Sequence, residues 1–290
     1  MGDRNDTPVM TDEAHAAAVS SVNFNSAIAE LRNTSSLRSS HYLGDHMAIT
    51  STIYGHKIFV DTRDISLAPH ILVDGKWEMG VTEVFRRLIR GGMTVVDIGA
   101  NFGWYTLIAA SLVGPKGHVI AFEPNPDVHN LLHRSLEVNG YQSYTTLERK
   151  GVMEVPKVLT FHKWARHQAS GNFFWGNPSP VHNDTTEAIQ VECTSLDEYF
   201  REHPRGRVDV IKIDAEGSEP QIIDGADFTL HVNPRIQLLL EYNSLVRPTA
   251  EKLMRKGFRM AHIEDDASLR FMNLDQLDQS HNWHMLLFTR

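Results

Sequence analysis

Short apolar runs alternate with helical periodicities from residue 77 to the C-terminus. This alternation is typical of a parallel sheet flanked by helices, and it predicts an α/β fold with a seven-stranded, doubly wound sheet. The strands are predicted at residues 94–98, 118–122, 143–147, 208–214, 236–241, 258–263 and 283–289. The helices between them are predicted at residues 81–90, 104–112, 127–139, 219–225 and 249–256.

The remaining segments predict additions to this sheet. Residues 1–40 are rich in small and polar residues and predict a flexible or partly helical N-terminal extension. Residues 41–76 predict a β-hairpin cap, because β-branched and aromatic residues flank a Tyr-Gly-His break. The main domain is then expected over residues 77–290. Within it, the aromatic-rich residues 160–189 exceed the roughly 12 to 15 residues of an ordinary connection, which predicts an insertion or lid.

Composition and charge exclude several classes of partner. The net charge is −8 and no block of Lys and Arg could follow a phosphate backbone, so nucleic acid is disfavoured. No apolar run approaches the roughly 18 residues that span a bilayer. The single cysteine, Cys193, cannot form an internal disulfide, and the N-terminus lacks a basic region followed by an apolar stretch. The sequence therefore predicts a soluble, cytoplasmic protein.

A glycine-rich turn follows the first strand of the predicted sheet. Gly99 and Gly103 permit a tight turn and a close approach of a ligand to the backbone. Their G-x-x-x-G spacing differs from the G-x-G-x-x-G of dinucleotide sites, and Asp97 stands just before the turn. An acidic residue repels a pyrophosphate but suits a cation, such as the sulfonium and ammonium groups of S-adenosylmethionine.

An acidic residue also follows the second predicted strand. Glu123 stands about 20 residues past the glycines, where nucleoside-binding α/β folds place an acid that binds ribose hydroxyls. The alternative is a surface glutamate ahead of a proline-rich helix start at residues 124–127. Its position in the sequence favours ribose binding.

Four motifs in register resemble one enzyme family. They are VVDIGANFGWYTLIAA, AFEPNP, VIKIDAEGSEPQIIDGA and LLLEYN, and they resemble the FkbM-type class I S-adenosylmethionine-dependent methyltransferases. The resemblance implies a Rossmann-like, seven-stranded fold, S-adenosylmethionine as cofactor and methyl transfer to a hydroxyl group. It also implies a small-molecule acceptor, often a sugar or a polyketide-type natural product. The insertion at residues 160–189 is then expected on the acceptor side.

The cofactor site is predicted around these motifs. It comprises Glu78, Asp97, Gly99, Ala100, Asn101, Gly103, Tyr105, Thr106, Glu123, Pro124, Asn125 and Asp214. Two readings of Glu78 have equal weight: it could bind the methionine ammonium, or it could cap the helix that begins just after it.

The catalytic groups are predicted at the ends of the fourth and fifth strands. Asp214 and Glu216 follow one strand, Glu241 and Asn243 follow the other, and the carboxyl ends of parallel strands share one edge of the sheet. Asp214, Glu216 and Glu241 are candidates for the general base that deprotonates a hydroxyl. Asp214, Glu241 and Asn243 together could instead bind Mg²⁺, an analogy that stays open. The alternative for Glu216 or Glu219 is capping of the next helix.

Histidines in the insertion are alternative bases. His162, His167 and His182 could each serve, with His167 taken as the catalytic candidate, although a single loop histidine is more often an ordinary polar residue. Lys212 alternates with two isoleucines on a strand, so it either faces a covering helix or pairs with an acid such as Asp97.

Three classes of function compete at this point. An O-methyltransferase is favoured. A nucleotide-dependent oxidoreductase is disfavoured by the glycine spacing and by the lack of a Tyr-x-x-x-Lys pair, and a non-catalytic cofactor-binding scaffold is disfavoured by the acids at both strand ends. Amino-group methylation would be expected to show an Asn/Asp-Pro-Pro-aromatic turn where this chain has residues 214–217. Whether the N-terminal extension packs on a second copy of the chain stays open.

Overall fold

The computed structural model of the protein describes residues 39–164, 173–174, 186–279 and 283–290. Within these residues, no helix is both long enough and apolar enough to cross a bilayer. The strands are β1 (His41–Gly44), β2 (Met47–Ser51), β3 (Lys57–Asp61), β4 (Thr94–Ile98), β5 (His118–Phe122), β6 (Thr145–Glu148), β7 (Gly151–Val152), β8 (Lys157–Trp164), β9 (Phe173–Phe174), β10 (Thr186–Thr194), β11 (Val210–Ile213), β12 (Gln237–Tyr242), β13 (Arg259–Ile263), β14 (Leu269–Arg270) and β15 (His284–Thr289). The α-helices are α1 (Ala68–Val73), α2 (Met79–Leu88), α3 (Trp104–Val113), α4 (Pro126–Asn139), α5 (Leu196–Glu202), α6 (Glu219–Asp224), α7 (Asp227–Val232), α8 (Arg247–Arg255) and α9 (Leu274–Asp278).

The large sheet has the strand order β14-β13-β15-β12-β11-β4-β5-β6. The neighbours from β12 to β6 run parallel, whereas β15 is antiparallel to both β12 and β13. The chain proceeds outward from β4 through β5 and β6 and then returns to β11 on the other side. The predicted Rossmann-like, doubly wound α/β fold is confirmed, and β4 marks its topological switch point.

The sheet contains eight strands among the described residues instead of the predicted seven. The additional strand is β14, a two-residue edge strand that pairs with β13 and is too short to stand out as an apolar run. The third predicted strand, at residues 143–147, begins later, because residues 142–144 form a 3₁₀ turn. Helices α1, α5, α7 and α9 were not predicted, since five to seven residues carry little helical periodicity.

The N-terminal hairpin is confirmed and belongs to a three-stranded antiparallel sheet, β1-β2-β3. This sheet packs on α4: Phe59 N donates to Ser135 Oγ at 3.0 Å, and Lys57 N donates to Asn139 Oδ1 at 2.9 Å. The buried side chain of Ile58 belongs to the same apolar core as the helices on this face of the large sheet. The cap therefore shares its core with the larger domain, and the domain boundaries given above stay a prediction.

The interpretation of residues 160–189 as one long connection needs correction. Its two ends are strands, β8 and β10, which pair along their length in an antiparallel hairpin that also binds β7 and β9. Phe161, Val191 and Cys193 point inward and form a small separate core. Charged residues interrupt the alternation of apolar and polar positions in β8 and β10, so these strands were not predicted from the sequence. Residues 165–172 and 175–185 lie outside the described residues, so a lid there stays a prediction.

Candidate functional site

A cavity of about 290 Å³ opens at the carboxyl ends of β4, β5, β11 and β12, where the strand order reverses. Ligands of open α/β sheets bind at such a position. The residues that line it are Ser66, Leu67, Trp77, Glu78, Ile98, Gly99, Ala100, Asn101, Trp104, Tyr105, Phe122, Glu123, Pro124, Lys150, Gly151, Val152, Phe161, Lys212, Asp214, Ala215, Glu216, Ser218 and Glu241. Among the described residues, five carboxylates and two ammonium groups therefore face this space.

The glycine-rich turn brings the ends of β4 and β11 together. Gly99 has φ +77°, and a Cβ built on it would lie 1.9 Å from the carbonyl oxygen of Asp214, so no other residue fits there. Gly103 does not line the cavity; it precedes α3 with φ +97°, and its missing side chain admits Leu132. Gly99 therefore shapes the cavity, whereas Gly103 serves helix packing.

Glu123 stands at the carboxyl end of β5, as predicted for a ribose-binding acid. It is 7% exposed, its Oε2 accepts from Asn101 N at 2.8 Å, and its Oε1 accepts from Asn125 N at 2.8 Å. Burial raises the pKa of this carboxyl to about 7, although the two backbone N–H groups favour the ionised form. Each oxygen keeps a second lone pair for a ligand hydroxyl.

The titration of Glu123 predicts a pH dependence of nucleoside binding. The ionised carboxylate can accept from ribose hydroxyls, whereas protonation below pH 7 removes acceptor capacity. We expect the affinity for adenosine to fall as the pH drops below 7, approaching about tenfold for each pH unit. Calorimetry between pH 5.5 and 8.5 measures this, with circular dichroism at each pH as a control for folding. An affinity that is flat across this range would contradict the assignment.

The structure separates the two readings of Glu78. This residue precedes α2 with φ +38° and makes no side-chain capping bond to that helix. Its Oε2 instead accepts from the Tyr105 hydroxyl at 2.9 Å, and the carboxylate stays open to the cavity. The left-handed backbone of a non-glycine residue is strained, and such strain clusters at functional sites. These contacts favour a role in ligand binding over capping.

A buried lysine neutralises part of the acidic wall. Lys212 is 1% exposed, its Nζ donates to Asp214 Oδ2 at 3.0 Å, and it lies 4.4 Å from the centre of the Tyr105 ring. Burial alone would lower the pKa of Lys212, but Asp214, Asp97 and Glu78 outweigh burial and raise it. The ammonium is therefore charged, and it confines the Asp214 side chain.

The structure places Asp97, a predicted cofactor-binding residue, behind the cavity wall. Asp97 is 0% exposed and does not line the cavity. It lies within β4 beside Lys212 on β11, and its Oδ2 accepts from the Thr106 hydroxyl at 2.6 Å. Because it precedes the strand end, its side chain joins the helix layer instead of the open edge. The hydrogen bond from Thr106 favours the ionised form of Asp97. The Asp97 carboxylate in turn favours the charged form of Lys212.

Glu241 lies near the carboxyl end of β12. It lines the cavity, and its buried Oε2 has no hydrogen-bond partner among the residues that the structure describes. Burial and the nearby charges of Asp214, Glu216 and Glu219 raise its pKa well above the ordinary value. Glu219 itself is fully buried, and its Oε1 accepts from Ala215 N at 2.9 Å. Glu219 therefore stabilises the turn after β11, whereas Glu216 lines the cavity.

The predicted Mg²⁺ site does not assemble. Asn243 does not line the cavity, because its Oδ1 accepts from Leu245 N at 2.8 Å and caps the turn after β12. Across the described part of the chain, no group of three His, Cys, Asp or Glu side chains could hold a metal ion. The ammonium of Lys212 already occupies one oxygen of Asp214. The donor set of Asp214, Glu241 and Asn243 therefore does not fit the metal.

The structure brings most of the predicted site residues together. Those that line the cavity are Glu78, Gly99, Ala100, Asn101, Tyr105, Glu123, Pro124, Asp214, Glu216 and Glu241. Asn125 lies behind the wall, where its side chain accepts from Asp127 N and caps α4. His162 does not line the cavity, and His167 and His182 lie outside the described residues.

Several lining residues were missed by the sequence analysis. Ser66 and Leu67 come from the loop after β3, which no motif distinguishes. Phe161 belongs to β8, and the alternation of apolar and polar residues along this strand could have predicted it. Lys150 follows β6, the strand next to β5, and lies at the same edge as Glu123.

Comparison with known proteins places these residues in a family context. The sequence model described as "Methyltransferase FkbM domain" matches residues 97–264. The chain is 26% identical to "Methyltransferase 1" of Beauveria bassiana, over 46% of this chain and 58% of that protein. It is 25% identical to "Hexuronic acid methyltransferase AglP" of Haloferax volcanii, over 44% of this chain and 48% of that protein. The match therefore spans less than two thirds of each of these relatives.

One similar solved structure is a methyltransferase FkbM from Methylobacillus flagellatus KT. It shares 16% identity with this chain, and the alignment covers 71% of this chain and 50% of that one, with a TM-score of 0.43.

Proposed function

The chain belongs to the FkbM methyltransferase family, and from this premise we propose that it is an S-adenosylmethionine-dependent O-methyltransferase acting on a small-molecule hydroxyl. Family membership replaces the oxidoreductase considered from the sequence. The observation that carries the proposal is the buried Oε2 of Glu241, which has no hydrogen-bond partner among the described residues and lies in a cavity lined by carboxylates.

The cavity residues fit a cationic nucleoside ligand. Glu123 would accept from the ribose hydroxyls, and Glu78 would accept from the methionine ammonium. The turn at Gly99 leaves the backbone open to close approach, and the excess of carboxylates favours a positively charged ligand over a dinucleotide. When bound, S-adenosylmethionine supplies an electrophilic methyl group. The sulfonium sulfur that carries this methyl group becomes a neutral thioether when the methyl group is transferred.

We expect Glu78→Gln to weaken S-adenosylhomocysteine binding by about tenfold to a hundredfold, because a charge-assisted hydrogen bond to the ammonium is lost. Adenosine, which lacks the amino acid part, is the matched ligand, and its affinity should stay unchanged. Calorimetry on both ligands measures the effect. Equal losses for the two ligands would show that Glu78 does not bind the ammonium.

Glu241 would act as the general base. An alcohol is a weak nucleophile, so its attack on the methyl carbon is helped when a carboxylate accepts the hydroxyl proton. The raised pKa of Glu241 makes it a stronger base than an exposed glutamate once it is ionised. Asp214 is less suited, because Lys212 already donates to it.

The charge of the cavity favours a hydroxyl over a carboxylate as the accepting group. A carboxylate needs no base, and it would approach Glu216 and Glu241 against like charge, which costs several kcal/mol. A neutral sugar, glycoside or polyketide-type hydroxyl meets no such repulsion. The acceptor class proposed here is therefore an uncharged hydroxylated molecule, although a similar protein is named for a hexuronic acid.

A product assay tests this function. The full chain is incubated with S-adenosylmethionine and matched pairs of neutral and acidic acceptors, such as methyl glucoside and glucuronic acid, and S-adenosylhomocysteine formation is measured. The proposal expects turnover with neutral hydroxyl compounds from the sugar or polyketide panel. Methylation of carboxylates alone would contradict it.

A further inference from the structure

A second buried lysine joins the hairpin to the helix that follows β5. Lys163 on β8 is 6% exposed, and its Nζ lies 2.8 Å from Asp127 Oδ2 and 3.0 Å from Glu187 Oε2. Glu187 is its ladder partner on β10, whereas Asp127 belongs to the first turn of α4. One ammonium group therefore connects both strands of the hairpin to the N-terminus of α4.

Phe161 lies on the same face of β8 as Lys163. Residues two apart on a strand share a face, and both side chains are buried. Phe161 lines the cavity together with Gly151 and Val152. These residues follow β6, which pairs with β5, so Phe161 faces the same end of the cavity as Glu123.

The ion pairs of Lys163 with Asp127 and Glu187, here called the lysine clamp, resist sliding of the hairpin. A buried ammonium is costly unless it stays paired, so a shift of β8 away from α4 would leave Lys163 without Asp127. The side chains of its partners are largely exposed, at 54% for Asp127 and 68% for Glu187. Each partner can therefore be changed without opening the core.

We propose that Lys163 is a positioning residue: by fixing β8 to α4, it holds the Phe161 ring as the aromatic wall that packs against the purine base of the ligand. This inference rests on the proposed function, because it takes the ligand to be an adenine nucleoside. Aromatic walls give nucleobases a large apolar contact, and their value depends on where the ring is held.

Calorimetry with S-adenosylhomocysteine and adenosine tests the proposal on the full chain. Lys163→Met should weaken both ligands by the same factor, about threefold to tenfold. Asp127→Asn, at the exposed end of the clamp, should act in the same direction and keeps the test valid if Lys163→Met unfolds. Lys157→Met is the matched control, since Lys157 lies on the same strand, pairs with Glu154 and does not line the cavity. It should change neither affinity.

A double-mutant cycle separates positioning from general destabilisation. In a Phe161→Ala background, Lys163→Met should have no further effect on adenosine affinity, because the group it positions is absent. Unchanged affinity in Lys163→Met and Asp127→Asn, or an equal loss in both backgrounds, would overturn the proposal. If the unaltered protein binds neither ligand, the proposed function fails, and this inference fails with it.

Discussion

Replacing Glu241 by glutamine is expected to lower turnover by about a hundredfold to ten-thousandfold, the contribution of a positioned general base. Glutamine keeps the size of the side chain but cannot accept the proton of the acceptor hydroxyl. Binding of S-adenosylhomocysteine should change little. The rate of S-adenosylhomocysteine formation, measured with an acceptor found in the panel, gives the effect directly.

The pH profile and a neighbouring variant sharpen this test. Because the pKa of Glu241 is raised, turnover of the unaltered protein should increase with pH as this carboxyl ionises, and the increase should vanish in Glu241→Gln. Glu216→Gln is the matched control, since Glu216 faces the same cavity. If the loss in Glu216→Gln equals or exceeds that in Glu241→Gln, the base has been assigned to the wrong residue.

Replacing Lys212 by methionine is expected to lower the free energy of unfolding by about 3–5 kcal/mol. Asp97 is fully buried, and its Oδ1 has no hydrogen-bond partner among the described residues, so it depends on the charge of Lys212. Without Lys212, the carboxylates of Asp97 and Asp214 repel each other with no cation between them. Urea unfolding followed by circular dichroism measures the loss.

The pH dependence of that loss has a definite sign. Burial already raises the pKa of Asp97, and removal of Lys212 raises it further. The folded variant then binds more protons than the unfolded chain above the ordinary pKa of aspartate, so its stability falls as the pH rises. The deficit should be small near pH 4 and largest at neutral pH. Lys157→Met, which removes a half-exposed lysine, should cost less than about 1 kcal/mol.

The parts of the fold that repeat a strong local pattern could be predicted from the sequence. Strands β4 and β5 occur at the predicted residues, since each is a continuous apolar run that ends at a turn. Gly99 and Glu123 were placed correctly in the cavity wall for the same reason: the end of a parallel strand fixes the edge of the sheet where a residue lies.

Side-chain direction and distant contacts could not be predicted in this way. Asp97 and Asn243 stand next to strand ends in the sequence, yet one points into the helix layer and the other caps a turn. Ser66 lines the cavity from the loop that follows the N-terminal sheet, and this sheet packs on α4. Phe161 lines the cavity from β8, which belongs to a separate sheet and pairs with β10 and β9. These placements depend on tertiary packing, which the spacing of motifs does not encode.

Calorimetric titration of the purified protein with S-adenosylhomocysteine tests the central claim most directly, with NADH as the comparison ligand. We expect one binding site with micromolar affinity, near −8 kcal/mol, and no binding of NADH. Folded protein that gives no heat with S-adenosylhomocysteine at millimolar concentration would contradict the assignment of the acidic cavity as a cofactor site.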